Sequence, residues 1–333
     1  MFTDMLKDFL KTYGATGRED KIADTIKNYV EAKADEVYTD VMGNLIAVRR
    51  GISGKKIMLS AHMDQIGLIV IDIDDRGFLR VSNVGGVNPV VTVAREVVFE
   101  NGVRGVTYCE TEKSGVGEAT IAKLFVDIGA TTYEEAAAKV GIGDICVYVT
   151  NFVELGNRFA CGALDDRVCC AVVAEVFNTA VSDHDIYAVF TVQEEVGLRG
   201  ATTAAYAISP DFAINLDVTL TGDIPECARM SVKLGAGPTI KVMDSSAIIP
   251  TFVRRYMEDV AKKNNIKVQN EVLRGGGTDA GAVLKTKGGI PACCISIPTR
   301  YVHSPVEMAD IDDCHNAVKF VNAMLAEREL PRF

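Results

Sequence analysis

Apolar positions recur with helical spacing at the start of the chain, MFTDMLKDFLKTYG, and again in 18-REDKIADTIKNYVEAKADE-36, where Ile22, Ile26, Tyr29 and Val30 share one face. Both stretches predict amphipathic helices packed on something else. The runs 44-NLIAVRR-50 and 56-KIMLSAHMD-64 predict strands either side of a GISGKK turn, the second apolar enough to lie inside a sheet. From about 67 to 158 the pattern changes to short β-rich pieces such as GLIVIDID, GFLRVSN, REVVFEN and DICVYVTNFVEL, with one helical interruption near 132-TYEEAAAKVG-141. Beyond it, helix-like 166–180, 199–208, 250–265, 279–288 and 312–329 alternate with strand-like 186–193, 211–218 and 292–298. That alternation predicts an α/β fold, a central sheet flanked by helices. The β-rich piece at 67–158 then interrupts one α/β domain built from 1–66 and 159–333.

Composition narrows the picture modestly. A chain of 333 residues exceeds the usual size of one domain, and 48% hydrophobic with 24% charged residues is globular composition. No apolar run reaches membrane-spanning length, and the acid-bearing N-terminus predicts a helix rather than a signal peptide, so a soluble cytoplasmic protein is expected. Nine cysteines, with Cys169-Cys170 and Cys293-Cys294 inside apolar segments and no CxxC pair, predict buried free thiols rather than disulfides or a thiolate zinc site. A net charge of −10 leaves no basic stripe for nucleic acid.

Chemistry enters at the strand ends, where open α/β sheets place their sites. His62 and Asp64 in SAHMD, Asp165 and Asp166 in GALDDR, Glu194 and Glu195 in VQEEVG, Asp217 in NLDV and His303 in YVHSP are nitrogen and carboxylate donors. Any one of them has an ordinary explanation, a helix cap or a hydrogen-bonded core histidine. Together they put metal-ligand types at the ends of five segments, and they include two of only four histidines in the chain. Mixed imidazole and carboxylate suits zinc, cobalt or manganese. Two ions roughly 3.5–4 Å apart can share a carboxylate and a water that loses its proton near neutral pH. Three carboxylates and two neutral imidazoles leave such a pair one positive charge, which a hydroxide cancels. One acid of the glutamate pair is then free to move a proton, since neighbours on a strand point to opposite faces. Spacing does not say which.

The set HMD, ALDDR, QEEVGLRGA, NLDV, DSS, GGTDAG and PTRYVHSP resembles the tetrahedral dinuclear-metal aminopeptidases, the family that also holds the glutamyl and deblocking aminopeptidases. The resemblance runs through nearly the whole chain. It implies a metallopeptidase core of the phosphorylase/hydrolase-like type with a central mixed sheet and an inserted, PDZ-like dimerisation domain at 67–158. It also implies two divalent ions, zinc or cobalt. His62, Asp165 and Asp217 would hold one ion and Asp165, Glu195 and His303 the other; Glu194 would be the general base and acid, and Asp64 would orient His62. Short peptides would be the substrates, and dimers would assemble into a hollow tetrahedral dodecamer.

Thr278 and Asp279 in 274-RGGGTDAGAV-283 either cap a helix or, by the resemblance, line the substrate pocket; the run lacks the GK[ST] ending of a phosphate loop. Arg300 and Tyr301 are further candidates for substrate contact. Two other functions compete: a two-metal carboxypeptidase or deacylase, which needs basic residues for a substrate carboxylate and finds only Arg300, and a metal-stabilised assembly protein, which has no use for an uncoordinated Glu194.

Overall fold

In a computed structural model, which describes residues 2–110, 115–227 and 229–332, an eight-stranded mixed sheet forms the centre. Its order is Glu36–Thr39, Leu45–Arg49, Asp185–Thr191, Lys56–His62, Phe212–Thr219, Ala292–Pro298, Thr239–Met243 and Gln269–Val272. The four strands from Asp185–Thr191 to Ala292–Pro298 run parallel, and antiparallel neighbours flank them. Parallel strands buried on both faces read as continuous apolar runs, and Phe212–Thr219 is buried at every position. Register sets the site: Thr191 lies opposite His62, so the chains leaving these two strands emerge side by side.

Side-chain alternation divides the core. Ile57, Leu59 and Ala61 face the layer that contains the helices Phe2–Lys11, Asp20–Val30, Leu164–Thr179, Thr251–Lys263 and Ile311–Leu325, while Met58 faces Arg199–Ile208 and Asp279–Leu284. The helix Leu164–Thr179 is apolar almost all round and buried almost all round, as its composition requires. Each fully buried Leu, Val, Ile or Phe here contributes roughly 1.5–3 kcal/mol.

The β-rich piece closes into a six-stranded antiparallel barrel from Gly67–Ile73 to Ile145–Tyr148, with a core of its own around Leu79, Phe99 and Val126. The strand Val153–Leu155, read with that piece from sequence, does not join the barrel. It forms a hairpin with Arg158–Cys161, which pairs in turn with Glu307–Asp310, and Phe152 stacks on Phe159 at 5.3 Å.

Other boundaries moved for local reasons. The helix expected over 18–36 spans Asp20–Val30, its polar tail continues as a 3-10 turn over Glu31–Lys33, and the edge strand Glu36–Thr39 starts where the expected helix was to end. The strand expected to reach Gln193 stops at Thr191, and the helix expected over 279–288 stops at Leu284 before a glycine pair. Thr239–Met243 and Gln269–Val272 escaped notice because Lys241 and Glu271, fully buried, pair with each other inside the sheet. An internal ion pair erases the apolar signature of both strands. Eight of the nine cysteines are buried, and all are free. Among the described residues no helix is long and apolar enough to cross a membrane.

Candidate metal centre and active site

The candidate donors gather at the carboxyl ends of the parallel strands. His62 closes its strand, Asp217 lies near the end of Phe212–Thr219, and Asp165 sits at the start of the helix Leu164–Thr179. Glu195 and His303 come from loops. Asp165 is central: its Oδ1 lies 3.0 Å from His62 Nε2, and its Oδ2 lies 3.2 Å from His303 Nε2. Among the described residues two donor groups are close enough to hold a cation, His62 with Asp165 and Asp217, and Asp165 with Glu195 and His303; within each, the ligand atoms lie within 4.8 Å of one another. Asp165 belongs to both.

Both imidazoles are set in the same tautomer. His62 Nδ1 lies 3.1 Å from the carbonyl oxygen of Asp64 and His303 Nδ1 lies 3.0 Å from that of Gly86. A carbonyl only accepts, so each Nδ1 donates and each Nε2 is the nitrogen turned to the centre. Gly86 has to be glycine for this approach, because a Cβ there would come within 2.5 Å of His303 Nδ1. Gly85 is similarly placed against Glu195. The loop after the barrel strand Leu79–Val84 thus forms one wall of the centre.

The electrostatics fit a cation. Burial disfavours charge on His62, yet Glu194, Asp165 and Asp64 outweigh it and hold the ring well above its ordinary range. Burial and the neighbouring acids push Glu194 and Asp217 well above the usual carboxylate range. Glu195 Oε1 is buried without an aligned hydrogen bond, although His303 Nε2 is 3.2 Å away. Several buried carboxylates around two imidazoles need more positive charge than the rings supply. Hard and borderline divalent ions match that donor set.

Glu194 and Glu195 are divided by a turn, not by strand alternation. The strand has already ended, Gln193 takes φ 54°, and both glutamates donate their backbone N–H to the Asp64 carboxylate, at 3.0 Å and 3.3 Å. Left-handed backbone at a non-glycine residue costs of order 1–3 kcal/mol, and His303 itself, at φ 62°, carries the same strain. Glu195 turns towards His303, whereas Glu194 stays out of both donor groups, with its carboxylate 3.9 Å from His62 Nε2.

Asp64 thus does more than orient a ring. It holds both glutamates and accepts 2.8 Å from Thr16. Asp166, Asp165's neighbour, accepts from the His62 backbone N–H rather than joining either group. Glu307 is a residue that sequence reading missed: buried, it accepts the backbone N–H of Asp165 at 3.0 Å and of His303 at 2.7 Å, tying two donors from distant segments. Glu19 braces the same turn by accepting from Gln193 N–H. Nothing in the local sequence marks Glu19 or Glu307, but the Gly85-Gly86 pair after a predicted strand is a legible sign of close backbone approach.

A cavity of about 700 Å³ opens over the centre. Thr278 lines it, and its hydroxyl donates to Asp244 at 3.0 Å instead of capping the helix that follows. Asp279 accepts 2.6 Å from Thr191 and does not reach the cavity wall. Arg300 is committed elsewhere, with Nε and Nη2 bidentate on Asp223 at 3.1 Å and 2.6 Å, and Tyr301 is exposed.

Known proteins share this architecture. Residues 43–320 match the M42 glutamyl aminopeptidase family. A relative from Acetivibrio thermocellus is 49% identical, with 96% of each chain aligned. The lysyl aminopeptidase of Pyrococcus furiosus is 38% identical over 97% of this chain and 96% of its own. In the solved structures, the Pyrococcus horikoshii TET1 peptidase, which can assemble into a tetrahedron or a large octahedral shell, superposes with a TM-score of 0.88 at 32% identity, covering 98% of this chain and 100% of that one. Matched in sequence over most of its length and in fold over nearly all of it, the chain belongs to the M42 glutamyl aminopeptidase family and is a peptide hydrolase.

Proposed function

We infer that the protein is a two-metal aminopeptidase that removes N-terminal residues from short peptides. The observation that carries this reading is the pair of donor groups sharing Asp165, with Glu194 beside them in neither. His62, Asp165 and Asp217 would hold one divalent ion, and Asp165, Glu195 and His303 the other, zinc or cobalt by donor type. When bound, the ions supply Lewis acidity towards the scissile carbonyl and acidify water.

The chain's own groups do the rest. Glu194 opens into the cavity, takes the proton of the attacking water and hands it to the departing amine. Asp64 and Glu307 act through other residues: the first fixes the glutamate turn and His62, the second the spacing between Asp165 and His303. A carboxypeptidase or deacylase is disfavoured, since Arg300 is held by Asp223 and, among the described residues, no Lys or Arg lines the cavity.

We extend the reading to organisation. Residues 67–158 would be a PDZ-like dimerisation insert in a catalytic unit made of 1–66 and 159–333, supported by the barrel's separate core. Dimers would assemble into a tetrahedral dodecamer in the cytoplasm, supported by the likeness to a shell-forming peptidase and by buried free thiols.

The free amino end is the feature to test. A peptide with a free N-terminus is expected to lose its first residue in the presence of zinc or cobalt, and the same peptide N-acetylated is expected to stay intact, both followed by mass spectrometry. Equal cleavage of the two, or loss of residues from the carboxyl end, would overturn the reading.

A further inference from the structure

Taking the chain to be the aminopeptidase proposed above, we propose that it selects N-terminal residues with uncharged aliphatic side chains, and that Leu198, Val218, Leu220, Leu273 and Val302 form the wall that selects them. These five residues line the cavity over the metal centre. Leu220, which follows the buried strand Phe212–Thr219 directly, is 46% exposed and lines the cavity. At about 700 Å³ the cavity has room for such a side chain and part of the following peptide.

The charged side chains that line the cavity have roles in the proposed chemistry. The acids that line it are Asp165, Glu194, Glu195 and Asp217, which the proposed chemistry uses. Among the described residues no Lys or Arg lines it: Arg300 is locked on Asp223, Lys241 is fully buried on Glu271, and the exposed Arg274, although it lies between Leu273 and Gly275, is not part of the wall. An acidic side chain entering would find no Lys or Arg in the wall. A basic one would find no carboxylate that is not already committed. Either would give up its hydration without an equivalent partner, whereas a leucine side chain would gain apolar burial.

Membership of the family does not decide the point, because its name speaks of glutamyl and the Pyrococcus furiosus relative of lysyl specificity. Recognising those residues takes a counter-charge in the wall. This wall has leucine and valine.

The test is a set of tripeptides differing only in the first residue, Leu, Glu or Lys, hydrolysed by the zinc- and cobalt-loaded full-length protein. Wild-type kcat/KM is expected to be roughly 10- to 100-fold higher for Leu than for Glu or Lys, in line with what a small pocket difference achieves. Leu220→Arg should cut the Leu-to-Glu ratio at least about tenfold by bringing a cation to the wall. Faster release of Glu or Lys by the wild type overturns the substrate class and leaves the aminopeptidase reading intact. A Leu-to-Glu ratio unmoved by Leu220→Arg overturns the wall. Hydrolysis of none of the three, with metals restored, overturns the aminopeptidase reading itself.

Discussion

Replacing Glu194 by Gln is expected to lower peptide hydrolysis by about 10²- to 10⁴-fold while bound metal stays at the wild-type level. The two halves of that expectation come from different observations. Glu194 lies outside both donor groups, so its loss removes no ligand. Its turn is held through backbone N–H bonds to Asp64, which the substitution does not touch, so Glu195 keeps its place. Glutamine matches glutamate in size and still accepts a hydrogen bond, but it cannot take a proton. The defect should therefore fall on kcat rather than on substrate binding. Steady-state rates with elemental analysis of the same sample check both halves. An active variant, or an inactive one that has lost its metal, would remove Glu194 from the role of base.

A different signature is expected at Asp165. Because its two oxygens face different imidazoles, Asp165→Asn should weaken both metal sites at once, whereas Asp217→Asn and His303→Ala should each weaken one. An amide offers one acceptor oxygen in place of two and removes a negative charge from a centre that needs it. The loss in affinity should exceed the roughly 10- to 100-fold typical of removing a group that only supports a ligand. Metal content after gel filtration in metal-free buffer is the readout: near none for Asp165→Asn and near one ion per chain for either of the others. Two ions retained by Asp165→Asn would contradict the shared ligand.

How far the sequence carried depends on where each residue acts. Side chains that point into the centre were legible, because His62, Asp165, Asp217 and His303 interrupt apolar segments with donors that a core would otherwise exclude. The α/β alternation was legible for the same reason, since fully buried parallel strands are apolar throughout. Residues that act through the backbone were not. Glu307 and Glu19 look like surface acids in the sequence, and only the fold turns them inward onto N–H groups of distant segments. The strands carrying Lys241 and Glu271 were hidden because each cancels the other's charge, and that pairing requires the sheet to exist first. The glutamate pair was assigned two roles on the strength of strand alternation. In the structure their carboxylates are separated by different geometry, a left-handed turn at Gln193 fastened by Asp64. Arg300 looked free in the sequence because its partner, Asp223, lies far along the chain in a loop with no regular pattern.

These observations describe a centre whose donors are fixed by backbone contacts from three directions: Asp64 from the strand end, Gly86 from the barrel and Glu307 from the C-terminal segment. Such support is what a metal site needs if its ligands are to hold their spacing through a catalytic cycle. On the proposed reading two ions, and not one, make the protein an aminopeptidase. Zinc titrated into chelator-stripped protein, with release of the N-terminal residue from a tripeptide measured at each ratio, tests it directly. Negligible activity without metal and a rise that saturates at about two ions per chain is the expected result. Full activity in the stripped protein, or saturation at one ion per chain, would contradict it.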